Sequence, residues 1–274
     1  MERIKLLTLN IWNRQGPWDA RLALIREELA RLQPDIVGLQ EVLSMVDHPS
    51  QAEDIARGLG YEHFYAPAWR IGGGVDYGNA ILSRYPILEP EVLELPLLGT
   101  KGDTRCVAFA RIDAPCGRIP VFVTHLNWKL HETHVRVAQV KAIAGFIKER
   151  APTKEFPPVL MGDMNADPDA DEIRFLRGLT ALGGKGVYFA DCWHACHHDA
   201  PGFTYARDNP YALRSREPSR RIDYVFVRGP DRQLRGEPLS CTICFNEAKD
   251  GVFPSDHYGV YAEIQAAPRP LDPL

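Results

Sequence analysis

The sequence predicts a mixed α+β protein dominated by sheet, and three observations carry that expectation. Short apolar runs of strand length recur from one end of the chain to the other, each closed by Gly, Pro, Asp or Asn. Three stretches between them repeat apolar residues at helical spacing. The composition, 45% apolar and 25% charged, is that of an ordinary globular chain with material for a large core. At about 150 residues per domain, the 274-residue length fits one large domain or two small ones.

In chain order the expected strands are 4–9, 35–39, 79–83, 106–112, 119–124, 158–161, 222–227 and 259–264. The first helix follows from Leu22, Ile25, Leu29 and Leu32, and the second from Val135, Ala138, Ala142 and Phe146. Ile173, Leu176 and Leu179 mark the third, for which Asp167 offers an N-cap and Pro168 a first helical residue. Residues 266–274, with three prolines, read as a loose tail. No repeat or low-complexity tract interrupts the order.

Residues 204–221 differ in character, being polar and carrying Arg207, Arg214, Arg216, Arg220 and Arg221. A loop of this length is either a solvated insertion or a segment that touches substrate. The net charge of −4 excludes a protein that grips nucleic acid by overall charge, while leaving a local basic patch open. No run approaches the 18 or so apolar residues of a membrane span. Residues 1–5 lead into the polar Asn10 and not into a signal-peptide core, so a cytoplasmic location is expected. Six cysteines in a chain this long do not make a disulfide framework. Cys192, Cys196, His197, His198, Cys241 and Cys244 could in principle supply a tetrahedral zinc site, but their spacing is not diagnostic.

The informative pattern is where the strands stop. Asn10 ends the first, Gln40-Glu41 the second, His125 with Asn127 the fifth and Asp163-Met164-Asn165 the sixth, while Ser255-Asp256-His257 precedes the last. Strands running the same way put their ends on one edge of a sheet, which gathers groups distant in sequence into one site. Taken singly, each has a plain role as a turn cap, a solvated carboxylate or a packing histidine. However, Leu39-Gln40-Glu41 and Leu160-Met161-Gly162-Asp163 each drive an apolar strand into a carboxylate. Such a charge is costly to bury without a partner, and a metal ion or an anionic substrate held by hydrogen bonds would resolve that cost.

Seven segments carry a resemblance: Leu9 to Asn13, Leu39 to Val42, Gly78 to Arg84, Thr124 to Asn127, Gly162 to Asn165, Arg221 to Phe226 and Ser255 to His257. In residues and order they resemble the motifs of the endonuclease/exonuclease/phosphatase superfamily, over residues 4–264. The resemblance implies a single domain over residues 1–265 with a four-layer α/β/β/α sandwich, two mixed β-sheets flanked by helices. It also implies a divalent-metal-dependent phosphoester hydrolase, a phosphodiesterase of nuclease-like type, with its site at one edge of the sandwich.

Roles follow from that resemblance and from the chemistry of the residues. Glu41 is the principal metal ligand, Asn10 adds an amide oxygen and Asp256 a further donor; such an oxygen set suits Mg²⁺, with Mn²⁺ as substitute. Asp163 and Asn165, two apart on a segment taken as extended, orient the attacking water and the developing oxyanion. His257, oriented by Asp223 or Asp256, binds phosphate or acts as base, so either Asp163 or His257 takes the proton. His125 stabilises or protonates the leaving group, and Arg105, Asn127 and Asn79 contact the substrate.

One departure matters: abasic-site endonucleases and some tyrosyl-DNA phosphodiesterases of that superfamily carry an acidic residue two positions after the motif asparagine, and here that residue is Trp12. The pattern is closer to the sphingomyelinase-like and uncharacterised bacterial branches. Leu95-Pro96-Leu97-Leu98 is the one candidate for a membrane-inserting hairpin, and its burial in the core is expected instead. The substrate is then nucleic acid or, as the alternative, a phospholipid headgroup or small phosphoester cleaved by a phosphodiesterase or phosphatase, with the arginine loop tilting the reading slightly towards nucleic acid, and the enzyme a monomer. A non-catalytic binding module of this fold would be expected to lack Glu41 or the Asp256-His257 pair, and both are present.

Overall fold

A computed structural model describes residues 2–99, 103–151 and 155–269. β1 (Arg3–Asn10) and β2 (Ile36–Met45) lie parallel, joined by the crossover helix α1 (Trp18–Leu32). α2 (Gln51–Ala56), capped by the Ser50 hydroxyl on the Glu53 amide at 3.2 Å, leads into the antiparallel pair β3 (Glu62–Gly72) and β4 (Val75–Ser83). β5 (Ile87–Leu95), β6 (Arg105–Ala114) and β7 (Gly117–His125) form an antiparallel meander. The helix α3 (Thr133–Arg150) then carries the chain to β8 (Val159–Asp163), parallel to β7. After α4 (Asp171–Leu176), β9 (Ala190–Asp191) and α5 (Cys192–Cys196) come β10 (Asp223–Val227), β11 (Pro238–Cys244) and β12 (Gly259–Gln265).

Two six-stranded mixed sheets result, ordered β11-β12-β1-β2-β4-β3 and β5-β6-β7-β8-β10-β9. Alternation along the strands makes the layers. In β1, Ile4 and Leu6 point between the sheets, where they meet Ala108, Ala110, Val121, Val123 and Met161 of the second sheet. Leu7 and Leu9, one residue out of phase, face outward onto Ile25 and Leu29 of α1. On the far side Phe109, Phe122, Leu160 and Phe226 pack against Val140, Ile143 and Phe146 of α3. The architecture is therefore the four-layer sandwich. Each sheet has one parallel pair near its centre, so β1 and β2, and likewise β7 and β8, deliver their C-terminal ends to a common edge.

The structure departs from the sequence reading in several places. α4 begins at Asp171 with Ala170 as N-cap, not at Asp167. The Asp167 carboxylate is engaged by Arg220 at 2.8 Å and its carbonyl accepts from the Ala170 amide, so a turn precedes the helix. Leu179 lies beyond that helix and is exposed. On α3 the buried stripe is Val135, Arg136, Gln139, Val140, Ile143, Phe146 and Ile147, which keeps the expected Val135 and Phe146 but not Ala138 and Ala142. Of the expected tail, residues 266–269 are docked: Ala266 is buried, its amide donates to the Glu2 carbonyl, and Arg269 pairs with Glu237. Residues 270–274 lie outside the described residues. The Leu95–Leu98 segment divides, Leu95 entering the core and Leu98 standing 57% exposed. Among the described residues the cysteines form no cluster of metal-ligand geometry, and all six are free thiols.

Candidate active site

Asp163 sits at the centre of the edge where the sheets end. Strand register alone places it: His125 of β7 is its partner on one side and Asp223 of β10 on the other. The chain can bring those strands together only because residue 162 is glycine. Its φ is +144°, and a Cβ there would lie 1.9 Å from the Thr124 carbonyl oxygen.

The other sheet supplies the facing half. Between Leu39 and Val42 the pairing of β2 with β4 slips by one residue, a β-bulge that leaves Glu41 at φ +59° and turns its carboxylate towards the site. Asn10 bridges the halves, donating Nδ2 to Glu41 Oε1 at 3.2 Å and to Asp163 Oδ2 at 3.0 Å. Its Oδ1 accepts the Trp12 amide at 3.0 Å. Asn13 grips Glu41 Oε2 at 2.9 Å. From β12's approach, the Ser255 hydroxyl donates to the Asn10 carbonyl at 2.6 Å, which places Asp256 and His257 beside the same carboxylates.

Two histidines flank Asp163 Oδ2, His125 Nε2 at 3.4 Å and His257 Nε2 at 3.8 Å, and they are held in opposite charge states. His257 Nδ1 lies 2.9 Å from Asp223 Oδ2. Burial opposes charge on His257, but Asp223, Asp163 and Asp256 outweigh it and raise its pKa well above the usual histidine value. His125 is pushed well below that value by burial and then by the Arg105 guanidinium. Arg105 Nη1 lies 3.3 Å from His125 Nδ1, and a guanidinium only donates, so the His125 proton resides on Nε2. Burial and the neighbouring Asp223 push Asp163 up to about 7; burial, opposed by His257 and reinforced by Glu41, does the same for Asp256.

A cleft of about 570 Å³ opens over these groups. Glu41, Arg105, His125, Asp163, Asn165, Asp256 and His257 all line it. Asp223 stands behind His257 as its orienter, with Oδ1 buried and without a hydrogen-bond partner. Two of the expected substrate contacts are not brought to the cleft. Asn79 is spent on the Cys106 carbonyl at 3.1 Å, and Asn127 on Glu132 and the Lys129 amide, where it shapes the loop before α3. Asn165 reaches the cleft by a different backbone from the extended one expected: β8 ends at Asp163, and Asn165 turns to φ +50° as its amide donates to Asp163 Oδ1 at 2.8 Å.

Several functional positions had no assigned role in the sequence reading. Asn13 holds Glu41, and Tyr77 places its hydroxyl 3.2 Å from His125 Nδ1. Thr204 accepts the amides of Ile222 and Asp223 on its hydroxyl and that of Tyr258 on its carbonyl, which ties the arginine loop to the His257–Asp223 pair. Nothing in a lone threonine signals this. The loop is neither wholly solvated nor wholly basic in its action. Arg220 and Arg221 are buried in ion pairs with Asp167 and Asp191, and Tyr205, Ser215 and Glu217 line the cleft, whereas Arg214 and Arg216 are exposed. The cleft is also lined by Trp69 and the half-exposed Ile71 of β3 and by the exposed Trp128, none of which carries a role in the sequence reading. No helix among the described residues is long and apolar enough to cross a membrane.

The chain resembles the putative neutral sphingomyelinase of Caenorhabditis elegans, at 26% identity over 96% of this chain and 66% of that protein. It is also 31% identical to the uncharacterized protein YbhP of Escherichia coli K12, over 59% of this chain and 66% of that protein. The chain thus spans just under two thirds of the length of these relatives. TDP2 of D. rerio, solved with a single-strand DNA product, shares the fold with a TM-score of 0.74 at 19% identity, over 95% of this chain and 98% of that one. The model of the Endonuclease/Exonuclease/phosphatase family matches residues 7–257, a span that includes every group around the cleft, and the chain belongs to that family.

Proposed function

We propose that the protein is a divalent-metal-dependent phosphodiesterase that acts on one phosphodiester at a time. The observation that carries this reading is the meeting of Glu41, Asp163, Asp256, His125 and His257 in one cleft with Arg105, with Asn10 buried behind Glu41 and Asp163. The donor set fits a hard cation. Glu41 and Asp256 offer only carboxylate oxygen, with the Asn10 amide against Glu41, and the carboxyl groups of Asp163 and Asp256, raised first by burial, would be eased by a cation. Bound between them, Mg²⁺ or Mn²⁺ would offset phosphate charge and polarise the phosphoryl group.

The chain's own residues supply the rest. Arg105 and the Nε2–H of neutral His125 bind phosphoryl oxygens, the latter stabilising charge on the leaving oxygen. His257, held charged and with Nδ1 on Asp223, points Nε2 at the same phosphate. Asp163, within reach of both imidazoles, is the group left to orient the attacking water and take its proton.

Cleft charge separates the substrate classes. Glu41, Asp163 and Asp256 are matched there by Arg105, the charged His257 and the cation they would hold, which leaves Asp103 and Glu217 as the remaining charged lining among the described residues. Away from those groups the lining offers no further cation to a second phosphate, while Trp69, Ile71 and Trp128 offer apolar surface to what flanks a single one. The phospholipid-headgroup or small-diester reading is therefore favoured over nucleic acid.

A panel of bis-p-nitrophenyl phosphate, sphingomyelin, plasmid DNA and single-stranded oligonucleotides, with Mg²⁺ and with Mn²⁺, tests this. Chelation is expected to abolish hydrolysis, and Glu41→Ala to raise the metal concentration needed for activity; full turnover in excess chelator would sink the metal requirement. Replacing both Arg214 and Arg216 with alanine is expected to leave the salt dependence of DNA binding flat. A slope that falls by about one unit for each phosphate no longer neutralised would return the assignment to nucleic acid.

A further inference from the structure

Arg21 is an arginine of α1 with no exposed surface, and no carboxylate forms an ion pair with it among the described residues. All five of its N–H groups are nevertheless satisfied, by main-chain carbonyls. Nε donates to Gln15 at 3.0 Å, Nη1 to Ile11 at 2.8 Å and to Pro254 at 2.9 Å, and Nη2 to Trp12 at 3.2 Å and to Asn13 at 2.9 Å. The guanidinium is also close to the indoles of Trp12 and Trp18, 5.0 and 5.2 Å from the ring centroids.

The two segments it joins are those that build the metal side of the cleft. One is the turn after β1, which carries the Trp12 amide onto Asn10 Oδ1 and the Asn13 side chain onto Glu41. The other ends at Pro254, immediately before Ser255, Asp256 and His257. These segments are about 240 residues apart in sequence, and one planar, five-donor group fixes their separation. Trp12 and Asn13 both hold positive φ, at 54° and 37°, so the turn is one that needs such external fixing.

We propose that Arg21 is a positioning residue for the metal-holding groups, acting through Asn13 on Glu41 and through Pro254 on Asp256. The inference rests on the reading of Asn10, Glu41 and Asp256 as the metal-holding set. Lysine cannot replace the guanidinium, since a single ammonium has three donors and cannot span five carbonyls.

The test is Mn²⁺ binding to the full chain without substrate, followed by electron paramagnetic resonance of free Mn²⁺, for the wild type, Arg21→Lys and Asn13→Ala. Arg21→Lys is expected to weaken Mn²⁺ binding by roughly 10–100-fold, the usual loss when a group that supports a ligand is removed. In turnover, most of the rate should return once Mn²⁺ saturates. Asn13→Ala, at a partly exposed position, should shift binding in the same direction, which keeps the test decisive if the arginine variant does not fold. Variants with lowered thermal stability but wild-type Mn²⁺ affinity would overturn the inference and reduce Arg21 to a packing role. A wild-type chain that binds no Mn²⁺ would overturn the functional reading and this inference with it; wild-type binding with unchanged variants overturns this inference alone.

Discussion

Alanine in place of either Asp163 or His257 is expected to lower the rate of phosphodiester hydrolysis by about 10²- to 10⁴-fold, the range for losing a positioned base or charge donor. In the proposed reaction the two side chains share one transition state. Asp163 Oδ2 lies 3.8 Å from His257 Nε2, and each draws its charge state from the other and from Asp223. The double variant should therefore be little slower than the poorer single one. The measurement is kcat/KM with bis-p-nitrophenyl phosphate at saturating Mn²⁺. Losses that multiply would mean that the two residues serve separate steps.

Gly162→Ala should be the most damaging single methyl group in the molecule. The backbone there is at φ +144°, which costs a non-glycine residue about 1–3 kcal/mol, and the added carbon would lie 1.9 Å from the Thr124 carbonyl. Relief requires β8 to move from β7, with a further cost of about 1–3 kcal/mol for overpacking. Asp163 is the next residue, so the same movement breaks its register with His125 and Asp223. Stability should fall by about 2–5 kcal/mol in urea unfolding, and the folded fraction should lose on the order of 10² in rate, as for a reacting group displaced by an ångström. Wild-type stability and rate in this variant would show that the strand pair tolerates what the backbone geometry forbids.

The groups of the cleft come from both sheets. Glu41 belongs to β2, His125 and Asp163 to β7 and β8, and the Asn10 amide is the direct bridge between them. Trp12 shows how the departure from an acidic residue is used. Its main chain serves Asn10 and Arg21, and its ring stacks on Tyr211 at 4.8 Å, tying the turn after β1 to the arginine loop. The residue contributes to the site without any ligating atom.

The order of amino acids was enough to reveal the interior of each sheet and the identity of the chemical groups. All eight strands read from apolar runs are interior strands, and the strands left unseen, β3, β5, β9 and β11, are the four edges. The physical reason is that the periodic signal comes from burial. An interior strand such as β8 is buried at every position, while β5 follows the pattern of an edge half in water, and β9 is two residues long. The residues at strand ends were legible for the same reason, since a buried run that stops at a carboxylate is visible in one dimension. Which of those polar residues share a cleft depends on the folded arrangement. Asn10, Asn79 and Asn127 are one residue type and all three amides are engaged, but only Asn10 is engaged with groups that line the cleft, Glu41 and Asp163. Thr204, Asn13 and Arg21 act on atoms far away in sequence or through main-chain carbonyls, and composition and spacing carry no record of such contacts. The charge states of His125 and His257 are likewise set in space. Both are buried histidines beside Asp163, and the arginine at one and the second aspartate at the other set them apart.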